Sequence, residues 1–273
     1  MSKAKFSIDN YKRIIESFRK EGYEIVPLDN NFFEIKEKYS KIIFIRHDID
    51  YNLKAGRLFS EIDKELGIKS CFCLRVHTQV YNLLSKEGLE FIKSIKSNRH
   101  IVGLHFEILN RVKMVDRNIV VSSIKRDTKL LEDITGIKRI RVFSWHNVSV
   151  LDDDMKHLVY ESYLPYINAY SLTSYGIKYY SDSNHRYSVE EWLFLSKKAP
   201  DKLHLLFHPF QWIHNSSSMR EVLANEWENF IKKFEDENLI SNHIFKKLFP
   251  DGYEKVRYEE FLRPLLSKEK RRI

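Results

Sequence analysis

The sequence predicts an α/β fold whose parallel strands close, or nearly close, into a barrel. Short apolar runs rich in branched residues alternate with segments whose apolar residues recur at helical spacing, and short connections join them. At least six such runs occur, and the repeated strand-then-helix order makes neighbouring strands parallel. Because the runs are apolar at nearly every position, we expect the strands to be buried on both faces.

The first elements follow this pattern from the N-terminus. A helix is predicted over residues 9–19, capped by Asp9 and ended by Gly22. A buried strand follows over 41–47 and ends in His47-Asp48-Ile49-Asp50. Later strands are predicted over 69–74, 101–105, 140–146, 177–182 and 203–208. Later helices are predicted over 55–66, 85–95, 122–134, 189–195 and 219–234.

Length and composition favour one globular domain. The hydrophobic fraction is 43%, with 18 Phe, 15 Tyr and 4 Trp to fill a core, and only 8 Gly and 6 Pro argue against flexible linkers. Since α/β barrels reach roughly 250 residues as one unit, we predict a single domain over residues 1–273.

The net charge of +8 favours an acidic partner, but Lys and Arg are spread over the whole length. No nucleic-acid recognition motif accompanies the charge, so nucleic-acid binding is not expected. The run from Lys268 to Arg272 is typical of a solvated tail, and the functional alternative is a weak attraction to anionic glycan or phospholipid.

The expected location is the cytoplasm, without integral membrane association. Cys71 and Cys73 are the only cysteines, and their i, i+2 spacing in an apolar run favours buried thiols in a reducing compartment. The first residues, MSKAKFSIDNYKR, carry charge where a signal peptide needs an apolar stretch. No run reaches the about 18 apolar residues that span a membrane.

Ionisable residues recur where the predicted strands end. They are Asp48 and Asp50 on the first strand, then His105, His146, Asp182 and His208. In (β/α) barrels the carboxyl ends of the strands carry the active site, because the loops converge there. We therefore expect these side chains to form one site.

Asp48 and Asp50 lie two residues apart, so they face the same side of a strand, while His47 and Ile49 face the other. Adjacent carboxylates resist ionising together unless a cation is near. One carboxylate and two histidines form a common ligand set for catalytic zinc, which lowers the pKa of a bound water to about 7. The other carboxylate would be free to act as general base.

Structural alternatives exist for each residue taken singly. A lone Asp at a strand end is often the N-cap of the next helix, and a lone His there is more often a satisfied hydrogen-bonding residue than a ligand. Coincidence at all these strand ends is much less probable than one site. His47, His100 and His214 fit either interpretation.

These residues, in this order, resemble the polysaccharide deacetylase family, which is NodB-like and belongs with carbohydrate esterase family 4. The subgroup has an Arg-His-Asp-x-Asp first motif. The matching segments are Arg46-His-Asp-Ile-Asp50, Arg99-His-Ile-Val-Gly-Leu-His-Phe-Glu107, Phe143-Ser-Trp-His146, Tyr180-Ser-Asp-Ser183 and Leu206-Phe-His-Pro209. The resemblance covers about residues 40–215, with an N-terminal helix and a C-terminal helical extension outside this core.

The resemblance implies a distorted (β/α) barrel of about seven parallel strands and a reaction in which a metal-activated water attacks an acetamide carbonyl. It makes Asp48 the base, His105 a metal ligand and His208 the acid that protonates the leaving amine. Asp182 joins them as a catalytic candidate. The divalent ion expected is Zn²⁺, although imidazole and carboxylate ligands also accept iron, cobalt and manganese.

Two positions depart from the family pattern. The family's adjacent metal-binding aspartate falls on Ile49, so Asp50 takes that role. Its second metal histidine falls on Leu109, and His146 is the expected substitute. The arginine that steadies the base would be Arg46 or Arg141.

The expected function is metal-dependent deacetylation of an N-acetylated sugar, such as a nucleotide- or lipid-linked unit, in surface polysaccharide or glycan biosynthesis. Arg46, Trp145 and Trp212 are the expected substrate-binding residues, although tryptophans near strand ends are more often core. The alternatives are a metal-dependent amidase or esterase on a non-sugar substrate, and a non-catalytic barrel that binds glycan.

Overall fold

The computed structural model describes residues 4–29, 32–108, 116–148, 156, 166–234, 243 and 247. The chain divides into two compact units, Met1–Leu223 and Ala224–Ile273. The first unit contains the sheet and all the residues expected in the site. In the second unit, the rings of Trp227 and Phe230 stack at 5.9 Å. The prediction of a single domain over 1–273 stays a prediction.

In the part of the chain that the structure describes, eight strands form one sheet in which every pairing is parallel. The strands are β1 (Glu24–Val26), β2 (Ile42–Ile49), β3 (Cys71–Leu74), β4 (Ile101–Phe106), β5 (Val142–Trp145), β6 (Ile167–Asn168), β7 (Lys178–Ser181) and β8 (Lys202–Phe207). Seven of them run in the order β6-β5-β4-β3-β2-β8-β7, and β1 pairs with β2. The sheet curls into a half-barrel with helices around it, which confirms the predicted distorted (β/α) barrel.

Strand β2 lies at the centre of the sheet and is buried at all eight positions. One edge pairs with β8 over Ile42–His47. The other edge pairs with β1 over its first three residues and with β3 over its last four. The strand that carries Asp48 is therefore hydrogen-bonded along both edges.

Among the described residues, the first helix precedes all the strands, the last follows them and the others lie between strands in sequence. The helix over Phe32–Lys38 was not predicted. The helices are α1 (Ile8–Lys20), α2 (Phe32–Lys38), α3 (Leu53–Glu65), α4 (Lys86–Ser97), α5 (Arg117–Thr135), α6 (Val189–Lys198) and α7 (Met219–Phe234). The cap of α1 differs from the prediction, because the side chain of Ser7, rather than Asp9, accepts from the Asn10 amide. Gly136 ends α5 at φ +64°, a conformation that glycine adopts without steric cost.

The two faces of the sheet contact different apolar clusters. Outward-facing residues such as Ile43, Ile45 and Phe72 pack with the helices, including Phe18 and Phe59. Inward-facing residues fill the concave side, and they include Ile42, Phe44, Cys71, Cys73 and Val142. The alternation along each strand thus assigns every second side chain to the interior of the curve.

Within the described residues, no helix is long and apolar enough to cross a membrane.

Candidate active site

Asp48 and Asp50 lie at the carboxyl end of β2 on the concave face of the sheet. The intervening Ile49 packs in the outer cluster, and His47, on the same outer side, bonds to Asp63 through Nε2 at 2.8 Å. His47 is fully buried there, so it belongs to the outer core and not to the site. The predicted orientation of the four residues is confirmed.

Three potential ligand atoms, one each from Asp50, His105 and His146, lie close together. Oδ1 of Asp50 lies 3.1 Å from Nε2 of His105 and 3.1 Å from Nδ1 of His146. Those two nitrogens are themselves 3.1 Å apart. The atoms form a nearly equilateral triangle, and among the described residues this is a group that could hold a metal ion. The Asp50 side chain is 12% exposed and that of His146 20%, so the triangle is accessible from one side.

The hydrogen bonds around His105 determine which of its nitrogens is available. The Ser144 hydroxyl donates to Oδ1 of Asp48 at 3.2 Å, so it accepts from Nδ1–H of His105 at 2.7 Å. Nε2 of His105 then carries a lone pair toward Asp50 and His146. A second partner that fixes the tautomer in this way is typical of a metal-ligating histidine.

The geometry and chemistry of the triangle suit a divalent ion. Ligands at tetrahedral angles and 2.0–2.2 Å from zinc are about 3.3–3.6 Å apart, so edges of 3.1 Å need to lengthen by only a few tenths of an ångström. A lone pair on Nε2 of His105 facing the Asp50 carboxylate is repulsive unless positive charge lies between them. Burial raises the pKa of Asp50, but its close contacts with His105 and His146 and the charge of His208 hold that pKa well below the ordinary value.

Asp48 is held as an anion by an arginine on its own strand. Nε of Arg46 lies 2.9 Å from Oδ1 of Asp48, and both side chains are almost completely buried. Burial raises the pKa of Asp48, but the charges of Arg46, His105 and His208 outweigh it, so the pKa lies below the ordinary value. Of the two arginines expected to steady the base, the structure places Arg46 against it.

His208 lies on the other side of Asp50, with its Nε2 3.7 Å from Oδ2 of that carboxylate. Asp182 contacts the other nitrogen of the ring, with Oδ1 2.5 Å from Nδ1 of His208. The other oxygen of Asp182 accepts from the His208 amide at 2.8 Å and from Nε1 of Trp212 at 2.7 Å. Burial opposes the positive charge of His208, but Asp182 outweighs it and raises the pKa to about 9.

Comparison with known proteins finds no match to a family model and none to a curated protein. Among solved structures, the chain is similar to a CE4-family pseudoenzyme from Bacillus anthracis (16% identity, TM-score 0.39), over 71% of this chain and 62% of that one. It is also similar to the chitin deacetylase of Colletotrichum lindemuthianum (12% identity, TM-score 0.43), over 69% and 81%.

A third similar structure is the peptidoglycan deacetylase PdaC from Bacillus subtilis (14% identity, TM-score 0.41), over 81% of this chain and 98% of that one. CE4 is the family that the sequence motifs resemble. This chain spans less than two thirds of the length of the pseudoenzyme. We infer its chemistry from its own residues.

The three expected substrate-binding residues are buried. Arg46 is 3% exposed, Trp145 5% and Trp212 1%. Trp145 packs edge-on against Phe143 and Trp212 donates to Asp182, so their contacts are internal. Arg46 contacts Asp48 and Trp212 contacts Asp182, whereas Trp145 packs in the outer cluster. A substrate-binding role for the three residues stays a prediction.

The structure also brings residues to the site that the sequence analysis did not select. Ser144, Arg75 and Glu107 face the concave side because each lies two residues from another inward-facing residue. Tyr51 follows Asp50 and is 39% exposed. Period-two spacing could have selected the first three, and the position next to Asp50 could have selected Tyr51.

The structure also excludes one alternative role for Asp50, that of an N-cap. The N-cap of α3 is Asn52, whose side chain accepts from the Ala55 amide, so Asp50 does not serve as that cap. Leu109, where the family's second metal histidine would fall, lies outside the described residues.

Proposed function

We propose that this protein is a metal-dependent hydrolase that removes the acetyl group from an N-acetylated sugar of a surface polysaccharide or glycan. The observation that carries the proposal is the triangle of Asp50, His105 and His146, flanked by Asp48 and by His208. An anionic carboxylate and a protonated imidazole on either side of a metal triad are the base and the acid that amide hydrolysis requires.

Asp50, His105 and His146 would hold the ion, and we propose Zn²⁺ because one carboxylate and two imidazoles are a catalytic zinc set. When bound, the ion would supply Lewis acidity toward the acyl oxygen and would lower the pKa of a water. Side chains of this protein would carry out the proton transfers.

Asp48 would accept a proton from the attacking water. Arg46 keeps this carboxylate ionised, and the Ser144 hydroxyl fixes its orientation by donating to Oδ1. As the new carbon–oxygen bond forms, the carbon–nitrogen bond breaks and the departing nitrogen takes a proton. His208, with its pKa near 9, is protonated at neutral pH, and Asp182 stabilises the charge until the proton leaves.

Support for a sugar substrate comes from the resemblance of the motifs to the polysaccharide deacetylase family and from one exposed ring. Tyr51 lies beside Asp50 and packs edge-on against Phe210 at 5.0 Å between ring centroids. A partly exposed aromatic ring at the rim can stack on an apolar sugar face. Free, nucleotide-linked and lipid-linked sugars would all present such a face.

The test is acetate release by protein reconstituted with one equivalent of Zn²⁺. Free, nucleotide-linked and oligomeric N-acetyl sugars would be compared with simple aryl acetates and N-acetyl amino acids. Asp48→Asn should lower the rate by about 100-fold or more, with zinc still bound. Asp63→Asn is the matched control, because Asp63 is an equally buried carboxylate on α3, where it bonds His47 on the outer side of the sheet.

Preferential turnover of acetamido sugars would support the proposal. Turnover of only the aryl acetates or amino-acid amides would assign the site to another acyl class. No acetate release from any substrate, with zinc bound, would contradict an enzymatic role and favour a glycan-binding barrel.

We further propose a cytoplasmic location. The support is that Cys71 and Cys73 are buried free thiols, 3.9 Å apart, as is typical of a reducing compartment. Cell fractionation with an antibody against the chain would test it.

A further inference from the structure

We infer that Arg75 and Glu107, here called the rim pair, are positioning residues that hold Asp50 and His146 in the geometry of the metal triangle. The inference rests on the proposed function, because it concerns residues that orient the proposed ligands.

The rim pair follows directly from the strand pattern. Arg75 comes one residue after the end of β3 and Glu107 one residue after the end of β4. Each lies two residues beyond an inward-facing side chain, Cys73 and His105 respectively. Their side chains therefore point to the concave side, at the same end of the sheet as the triangle.

Arg75 holds the backbone of Asp50. Its Nη1 donates to the Asp50 carbonyl oxygen at 3.2 Å. Its own amide donates to the hydroxyl oxygen of Tyr81, and that hydroxyl donates to the Ile49 carbonyl, both at 2.9 Å. The peptide that carries Asp50 is thus fixed from the side of β3.

Glu107 connects Arg75 to His146. Oε2 of Glu107 lies 2.5 Å from Nη2 of Arg75, and Oε1 lies 4.0 Å from Nε2 of His146. Because Nδ1 of His146 faces Asp50 and His105, Nε2 is the nitrogen left to interact with an orienting group. A separation of 4.0 Å closes through one bridging water or a small side-chain rotation.

A carboxylate that accepts the outer N–H of a ligating histidine raises its basicity and fixes the ring. Both histidines of the triangle then have an orienting partner, because Ser144 accepts from Nδ1 of His105 and itself donates to Asp48.

The rim pair is also less exposed than a surface ion pair. Its side chains are 11% and 29% exposed, against 51% and 44% for Arg57 and Glu90 on the helices.

The test is cobalt binding, because Co²⁺ occupies zinc sites and its visible absorption reports the ligand geometry. The full chain, stripped of metal, would be titrated with Co²⁺ and back-titrated with a chelator. Glu107→Ala should weaken the affinity by about 10- to 100-fold and change the absorption band. Glu107→Gln should have a smaller effect, because the amide oxygen still accepts a hydrogen bond.

The matched control is Glu90→Gln, which makes the same chemical change in the exposed Arg57 pair and should leave affinity and spectrum unchanged. Arg75→Lys provides an independent test if Glu107→Ala does not fold. Lysine keeps the charge but, with one nitrogen, cannot reach both Glu107 and the Asp50 carbonyl, so affinity should fall. Unchanged affinity and spectrum in the folded rim-pair variants would overturn this inference alone. Absence of cobalt binding by the unsubstituted protein would overturn the proposed function as well.

Discussion

The hydroxyl of Ser144 lies 2.7 Å from Nδ1 of His105, and this contact determines which nitrogen of the imidazole is free to bind a metal. The same hydroxyl donates to Asp48, so one small side chain on β5 orients both a proposed metal ligand and the proposed base.

Ser144→Ala should lower metal affinity by about 10- to 100-fold, because His105 loses the acceptor that fixes its tautomer. Isothermal titration with Zn²⁺ measures the change. Ser60→Ala is the control, since Ser60 is equally buried but bonds Ser94 between α3 and α4. Equal affinity in Ser144→Ala and the unsubstituted protein would contradict the role.

Arg46→Met should destabilise the metal-free protein by about 3–5 kcal/mol. The substitution leaves the Asp48 carboxylate buried at 2% exposure without its cation. Adding Asp48→Asn should recover most of the loss, because the amide is neutral. Urea unfolding of both variants measures this, and an equal loss in the double variant would mean that Arg46 acts through packing alone.

The His208–Asp182 pair should lose its contribution to the stability of the protein at alkaline pH. The pKa of His208 is raised from 6.5 to about 9, so the pair's contribution to stability is complete below pH 6.5 and is lost as the pH rises through about 9. Asp182→Asn should return the His208 pKa toward its ordinary value. NMR titration of labelled histidines in the metal-free protein measures both. If the pKa of His208 were the same in Asp182→Asn as in the unsubstituted protein, Asp182 would not be the cause of the shift.

His204, which takes up a proton more readily in the unfolded chain, should lower the stability of the protein in acid. It is fully buried on β8, and burial, with the nearby charge of Arg46, holds its pKa well below 6.5. The unfolded chain therefore binds more protons below pH 6.5, so stability decreases as the pH falls through that value. His204→Phe should make the stability measured by urea unfolding less dependent on pH as the pH falls below 6.5. The same slope in both proteins would exclude His204 as the source.

Gly103→Ala should destabilise the protein by about 1–3 kcal/mol through overpacking. A Cβ at Gly103 would lie 2.7 Å from Sγ of Cys73, inside the concave cluster. Cys73→Ala removes that sulfur, so the double variant should be more stable than Gly103→Ala. Thermal unfolding measures the series, and additive losses would show that the sulfur is not what opposes the new methyl group.

Long buried runs made most of the fold predictable. The runs that became β2, β4 and β8 are apolar on both faces, a pattern that tertiary context seldom overrides. Strands β1 and β6 were missed because three and two residues carry no periodicity. The cap at Ser7 in place of Asp9 reflects the usual uncertainty of one or two residues at a helix end.

The candidate site was predictable where chemistry alone marks a residue. Carboxylates and imidazoles at strand ends are conspicuous in any sequence. Period-two spacing places Ser144 and Glu107 on the concave face, but their contacts depend on inter-strand register, such as the pairing of His105 with Ser144, which local patterns do not encode. The burial of Trp212 likewise depends on its partner Asp182, 30 residues earlier.

The pairing of β2 along both edges has a consequence for how the site can open. A segment exchanges its amide hydrogens by local opening only if its hydrogen bonds can break without those of the rest. Strand β2 shares its bonds with β1, β3 and β8, and Asp48 itself pairs with Cys73 of β3. We therefore expect the amide hydrogens of β2 to exchange only when the domain unfolds.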